Sequence, residues 1–147
     1  MFYFDKNDPR VLFCDKRTLS KVNLCDGREF EVNPDVVCDF TELPFQDNTY
    51  NLVVFDPPHM NKINETAYMC IKYGRLSGDW KEMLRRGFAE CFRVLKPNGT
   101  LIFKWNEVQI PTSTVLALTD KKPVFGHRSG KKSNTHWICF IKEELCN

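Results

Sequence analysis

Three short apolar runs in this chain each lead into an aspartate. "RVLFCD" (10–15) closes on Asp15, "DVVCDF" (35–40) reaches Asp39, and "YNLVVFD" (50–56) closes on Asp56. Runs of this length, rich in Val, Leu and Phe and bounded by polar residues, read as buried strands. Strands buried on both faces belong to parallel sheets, and in open α/β sheets ligands bind outside the carboxyl ends of the strands. Acids at successive strand ends therefore predict an α/β layered fold with ligand-facing groups along one sheet edge.

The remaining sequence supplies the other layer. "LCDGREFEV" (24–32) carries the hairpin turn signal Asp26-Gly27 between alternating apolar residues. Residues 60–78 read as a long irregular loop or lid. Asp79 is placed to cap a helix, with Glu82 three residues on, and Trp80, Leu84, Phe88, Cys91, Phe92 and Leu95 follow at helical spacing. Pro97 and Gly99 in "KPNG" are expected to stop that helix. "TLIFKW" (100–105) reads as a strand, and "IPTSTVLAL" (110–118) as a short helix with Thr112 or Ser113 near its cap. "PVFGH" (123–127) and "THWICFIK" (135–142) read as two final strands. With 147 residues, no repeat and no linker, a single domain spanning 1–147 is expected.

Composition narrows the class. An apolar fraction of 42% fits a folded globule rather than a disordered chain. Charges interrupt every apolar run well short of the ~18 residues a membrane helix requires, so no membrane partner is expected. The start "MFYFDKNDPR" is acidic and unlike a secretory signal, which points to the cytoplasm. The cysteines at 14, 25, 38, 70, 91, 139 and 146 are odd in number and show no C-x-x-C spacing. They read as reduced and mostly buried small hydrophobes, with no metal site. Net charge is only +2, but Lys121, Lys122, Arg128, Lys131 and Lys132 cluster with His127 in an acid-free stretch.

Two segments taken in order, "DVVCDFTELPFQDNTYNLVVFDPPH" and "GFAECFRVLKPNGTLIFKW", resemble the central and C-terminal parts of class I S-adenosylmethionine-dependent methyltransferases. The whole chain also resembles small phage and prophage members of that group. The resemblance implies a Rossmann-like methyltransferase fold with a mostly parallel sheet and a closing antiparallel strand pair. It implies S-adenosyl-L-methionine as cofactor, with Asp39 and Phe40 at its adenine and Asp15 at its ribose. Family members also carry a glycine-rich turn after their first strand. Here Gly27 is the only glycine before Gly74, so the domain reads as reduced at its N-terminal side, lacking the first strand and helix; the alternative is that "VLFCD" is the first strand, with Asp15-Lys16-Arg17 in place of the glycines. A homo-oligomer could complete that edge.

In this family, tetrapeptides like Asp56-Pro57-Pro58-His59 mark methylation of a planar nitrogen, which implies a catalytic role for these four residues. The chemistry suits the residue types. An exocyclic amine is a poor nucleophile because its lone pair is delocalised, and acceptors on its two N–H bonds stabilise the cation that develops. Asp56 supplies one acceptor, and the carbonyl of Pro57, aimed by locked proline dihedrals, supplies the other. His59 would stack on a base flipped from its helix and can also exchange a proton. Lys104, Asn106 and Glu107 end the neighbouring strand and are expected to line the substrate pocket, with Trp105 in the core. His127, Arg128, Lys131, Lys132, His136 and Trp137 combine cations with aromatic rings, which suits a phosphate backbone and a stacked base. The expected reaction is methyl transfer to an exocyclic amine of a nucleic-acid base, adenine N6 in DNA ahead of RNA. Alternatives are a guanine amine in RNA, a glutamine amide in protein, or a non-catalytic nucleic-acid-binding module that retains the fold.

Overall fold

The computed structural model describes residues 3–5, 7–24, 26–128, 130 and 133–144. The chain forms two compact units, Met1–Phe40 and Thr41–Asn147.

The first unit holds two small strand pairs. β1 (Cys14–Asp15) and β4 (Val36–Val37) run parallel, with Cys14 opposite Val36 and Asp15 opposite Val37. Between them in sequence, β2 (Leu19–Asn23) and β3 (Glu29–Val32) form an antiparallel hairpin. Its tip is closed by the Gly27 amide donating to the Leu24 carbonyl at 2.9 Å, with Gly27 at φ 78° as the Asp-Gly signal requires. The expected buried strands over 10–15 and 35–40 shrink to two residues each, and Leu12 and Val37 are exposed. The physical reason lies in the connection. A parallel pair is normally covered by its crossover helix, and here the crossover is the hairpin, whose residues are themselves exposed or half-buried.

The second unit is a mixed α/β layer structure. Its four-stranded sheet has the order β5-β6-β8-β7, built from β5 (Tyr50–Phe55), β6 (Leu95–Asn106), β7 (Phe125–Arg128) and β8 (Thr135–Ile141). β5 and β6 are parallel, whereas β6–β8 and β8–β7 are antiparallel. The closing pair is antiparallel as expected, but this sheet is mixed rather than mostly parallel.

Three helices connect or cover these strands. α1 (Tyr68–Tyr73) lies inside the segment expected to be irregular. α2 (Trp80–Val94) follows the expected periodicity, and the Asp79 carboxylate accepts from the Glu82 amide at 3.1 Å. α3 (Thr112–Leu116) has its N-cap at Pro111, with Thr112 next to the cap as expected. Leu84, Phe88 and Phe92 of α2 are buried with Phe55, Leu101, Phe103, Trp105 and Phe140 of the sheet. Phe88 sits at the centre, 4.9 Å from the Phe103 ring and 5.5 Å from Phe55.

"KPNG" does not separate helix from strand, because α2 ends at Val94 and β6 begins at Leu95. The four residues form the irregular opening of β6, where the register against β5 shifts. Asn98 takes φ 62°, its amide donates to the Lys142 carbonyl at 2.9 Å, and the Lys142 amide returns 2.8 Å to the Gly99 carbonyl. A Cβ on Gly99 would stand 2.8 Å from the Lys96 carbonyl oxygen, so the bulge admits only glycine there.

Arg93, the arginine of "RVLKPNG", ties the "LPF" segment to α2. It donates to the carbonyls of Phe45 (2.7 Å) and Leu43 (2.9 Å) and to the Asp47 carboxylate (2.7 Å). Glu90 braces Arg93 at 2.7 Å and accepts from the Leu43 amide at 2.7 Å. Two motifs far apart in sequence are thus one tether, which delivers the chain into β5 at a fixed register.

The cysteines are less buried than expected. Among those described, Cys91 and Cys139 are buried, Cys38 and Cys70 half-buried and Cys14 exposed. No described helix is long and apolar enough to cross a membrane.

Candidate functional site

The register of β5 against β6 builds the site. Phe55 pairs with Phe103, and both face α2. One residue further on, Asp56 and Lys104 come out on the opposite face at the carboxyl ends of two parallel strands. There Lys104 Nζ donates to Asp56 Oδ2 at 2.7 Å, with the side chains 25% and 37% exposed. The pair is reachable from solvent, and the β5–β6 register brings its two backbones level.

A cleft of about 180 Å³ opens beside this pair, lined by Asp56, Pro57, His59, Lys104, Asn106 and Thr135 with Met69 and Tyr73 of α1. The His59 ring stands 6.2 Å from Tyr73 and 6.4 Å from Trp105, edge-on to the latter. Burial disfavours the His59 cation. Asp56 attracts it and Lys104 repels it, and the net effect lowers the His59 pKa and favours a neutral ring. On the other side, Lys104 Nζ lies 5.9 Å from the Trp137 ring centroid, across the β6–β8 register that pairs the two residues. Asn106 donates to the Thr135 hydroxyl at 3.1 Å.

The segment after the tetrapeptide is pinned at both ends. The Leu76 amide donates to the Met60 carbonyl at 2.8 Å, and Met60 and Leu76 are buried. Gln109 accepts from the amides of Asn61 (3.0 Å) and Lys62 (2.9 Å) and returns a bond to the Lys62 carbonyl at 3.1 Å. α1 is therefore held over the cleft with Met69 and Tyr73 presented to it. Sequence reasoning missed these two residues, although Tyr68 and Lys72 already stand four apart in a glycine-terminated stretch, and Lys72 Nζ lies over the Tyr68 ring at 5.8 Å.

Of the residues singled out in the sequence, Asp56, Pro57, His59, Lys104 and Asn106 come together in this cleft, and Trp137 touches it through Lys104. Pro58 is half-buried next to them. Trp105 is core, with its indole N–H donating to the Ile110 carbonyl at 3.0 Å.

His127, Arg128 and His136 line a different, open groove, with Thr112, Leu116 and Phe125. Glu107, expected at the substrate pocket with Lys104 and Asn106, does not line that cleft and instead gathers this second region. Its Oε1 takes Arg128 Nη2 at 2.6 Å and lies 2.8 Å from His136 Nε2. Its Oε2 accepts from the Thr112 hydroxyl at 3.0 Å. The His136 and Thr112 contacts outweigh desolvation and hold the Glu107 carboxyl down to about 2. Arg128 and His136 are thus committed to an internal carboxylate. Lys131 and Lys132 lie outside the described residues.

Asp15, Asp39 and Phe40 belong to the first unit. Asp15 Oδ1 accepts from the amide and Nε of Arg17 at 2.9 and 3.0 Å, and Oδ2 from Nη2 at 2.9 Å. Burial opposes its charge, but the Arg17 contacts outweigh burial and lower its pKa. Asp39 is 3.8 Å from Lys16 Nζ. Carboxylates are acceptors by chemistry, the kind of group that meets the hydroxyl and amine donors of a nucleoside. The residues following β1 are Lys16 and Arg17, so a backbone cradle free of side chains is missing at that strand end.

No family model matches the chain, and no curated protein matches it. Solved structures do share its fold, among them the PH0226 protein from Pyrococcus horikoshii OT3, with a TM-score of 0.50 at 17% identity. The likeness covers 74% of this chain and 58% of that one. At this identity it speaks for the fold alone.

Proposed function

We propose that the chain is a methyltransferase-like protein whose Asp56 cleft accepts the exocyclic amine of a nucleic-acid base, with adenine N6 in DNA as the first target. The observation that carries this reading is the placement of Asp56 at a parallel strand end, in one small cleft with His59 and Tyr73 rings. When bound, S-adenosyl-L-methionine supplies an electrophilic methyl group. The family resemblance assigns its ribose and adenine to Asp15 and Asp39 of the first unit. Asp56 accepts one N–H of the amine and draws the nitrogen toward tetrahedral geometry as positive charge develops. The His59 ring is placed to stack on the planar group, with Tyr73 in the cleft wall. The neutral imidazole of His59 can take the proton that the methylated nitrogen releases.

The sheet architecture and the likeness in fold are consistent with this reading, as is the Arg93 tether that joins two of the family-like motifs. A second reading, a methyltransferase-like fold that binds nucleic acid without transferring a methyl group, is favoured by the engagement of Asp15 with Arg17. Calorimetric titration with S-adenosyl-L-methionine and S-adenosylhomocysteine separates the two. Saturable micromolar binding supports the enzyme, and no binding even with DNA present leaves only the binding module.

A further inference from the structure

The Asp56–Lys104 couple places a hydrogen-bond acceptor and a cationic donor side by side at the mouth of the cleft. From this geometry we infer that Lys104 is a specificity-determining residue, which restricts the cleft to planar groups whose amine sits next to an acceptor on the pairing edge, N1 in adenine. The inference rests on reading this cleft as an amine site, and it adds a requirement on the amine's neighbour.

Asp56 alone would accept from any amine, including the flexible ammonium of a lysine side chain. Lys104 changes that. Its Nζ is 2.7 Å from the Asp56 carboxylate, so any group bonded to Asp56 lies within reach of Nζ as well. An ammonium offers donors only and no acceptor. A ligand that brings a second N–H or a positive charge to that position meets repulsion from the ammonium. A ligand that brings a lone pair satisfies it. Adenine (N6–H beside N1), cytosine (N4–H beside N3) and a primary carboxamide (N–H beside C=O) all present donor and acceptor on adjacent positions. Guanine presents its amine beside a second N–H on its pairing edge, and alkyl amines present no acceptor at all.

Three further observations support a reading head rather than a surface ion pair. The strand register fixes both residues, because Phe55 and Phe103 are paired and buried one step earlier. Lys104 is steadied on its far side by the Trp137 ring at 5.9 Å. The cleft, at about 180 Å³, is smaller than the roughly 300–1,000 Å³ of sites for whole drug-sized ligands. It therefore suits one flat group of a larger substrate.

The test is a calorimetric titration of the full chain with 9-methyladenine, 9-methyl-1-deazaadenine (ring acceptor replaced by C–H) and 9-methylpurine (amine removed). The expected result is that each analogue binds about 10-fold to 100-fold more weakly than 9-methyladenine, the range for a hydrogen bond to a charged group. In Lys104→Met, with folding checked by thermal melting, the gap between 9-methyladenine and its 1-deaza analogue should close. Equal binding of 9-methyladenine and the 1-deaza analogue to the wild type overturns the inference, and so does a gap that persists in Lys104→Met. Should that variant not fold, the wild-type series decides alone. Failure of methyl transfer with edge discrimination intact would sink the proposed reaction and leave this inference standing. Transfer without discrimination would sink only this inference.

Discussion

The Asp56 carboxylate meets the Lys104 ammonium at 2.7 Å, one step beyond the last paired residues of two parallel strands. An acid held there by backbone register is preorganised, and its worth to a developing cation lies in needing no rearrangement. Asp56→Asn keeps the shape and removes the charge. It should reduce transfer of a labelled methyl group to DNA by about 10²- to 10³-fold, the usual loss for one preorganised electrostatic contact. Binding of S-adenosylhomocysteine should stay within a few-fold of wild type. An unchanged transfer rate would remove Asp56 from the mechanism.

Arg93 offers a test of the scaffold rather than the chemistry. Its guanidinium spans Leu43, Phe45, Asp47 and Glu90, and it is the physical link between the "LPF" and "RVLKPNG" segments. Arg93→Ala leaves the Leu43 and Phe45 carbonyls without these donors, and should cost about 1–3 kcal/mol after allowance for partial exposure. Thermal melting should show a drop of several degrees. Arg93→Lys, which cannot fork across several acceptors, should recover only part of it. A melting temperature equal to wild type would make the tether ornamental.

The same tether shows why part of the architecture was readable in the sequence. Helix α2, strand β5 and the closing pair rest on local signals: a capping aspartate, apolar periodicity, and an apolar run bounded by turns. Asp56 and Lys104 were both legible as strand-end residues, yet their contact depends on a register that sequence alone does not state. The 10–15 and 35–40 runs had the composition of buried strands, but Leu12 and Val37 found no covering layer and only two residues of each run pair. α1 escaped notice because its six residues bury none of their own and have no capping side chain. Glu107 was legible as a strand-end residue, but its partners were not. Its partners Thr112, Arg128 and His136 lie 5, 21 and 29 positions away, and only the folded sheet brings them together.

Glu107 yields a pH prediction with a definite sign. Its carboxyl is lowered from an ordinary 4.5 to about 2 by His136 and Thr112. A depressed carboxylate stabilises the fold fully above its unfolded value and loses that contribution as pH falls toward the folded value. Wild type should therefore melt higher than Glu107→Gln at about pH 6, with the difference narrowing through the window from 4.5 down to about 2. Melting curves for both proteins across that range measure it directly. Parallel curves with a constant offset would mean that packing, not charge, sets the contribution of Glu107.

His59 separates stacking from proton exchange. If its ring serves as a platform, His59→Phe should bind 9-methyladenine within a few-fold of wild type, whereas His59→Ala should lose about 1–3 kcal/mol of base stacking. Burial and the nearby Lys104 lower the His59 pKa despite the attraction of Asp56, so the ring charges only below its ordinary 6.5. Acidification through that range puts a cation beside Lys104 and should weaken wild-type binding, while His59→Phe should respond only to the titration of its remaining groups. Titrations at several pH values give both comparisons at once. A wild-type profile that overlays the His59→Phe profile would show that the imidazole stays uncharged or unused across the range. Equal affinities of the Ala and Phe variants would rule out stacking on this residue, and Tyr73, 6.2 Å away across the cleft, would be the ring to mutate next.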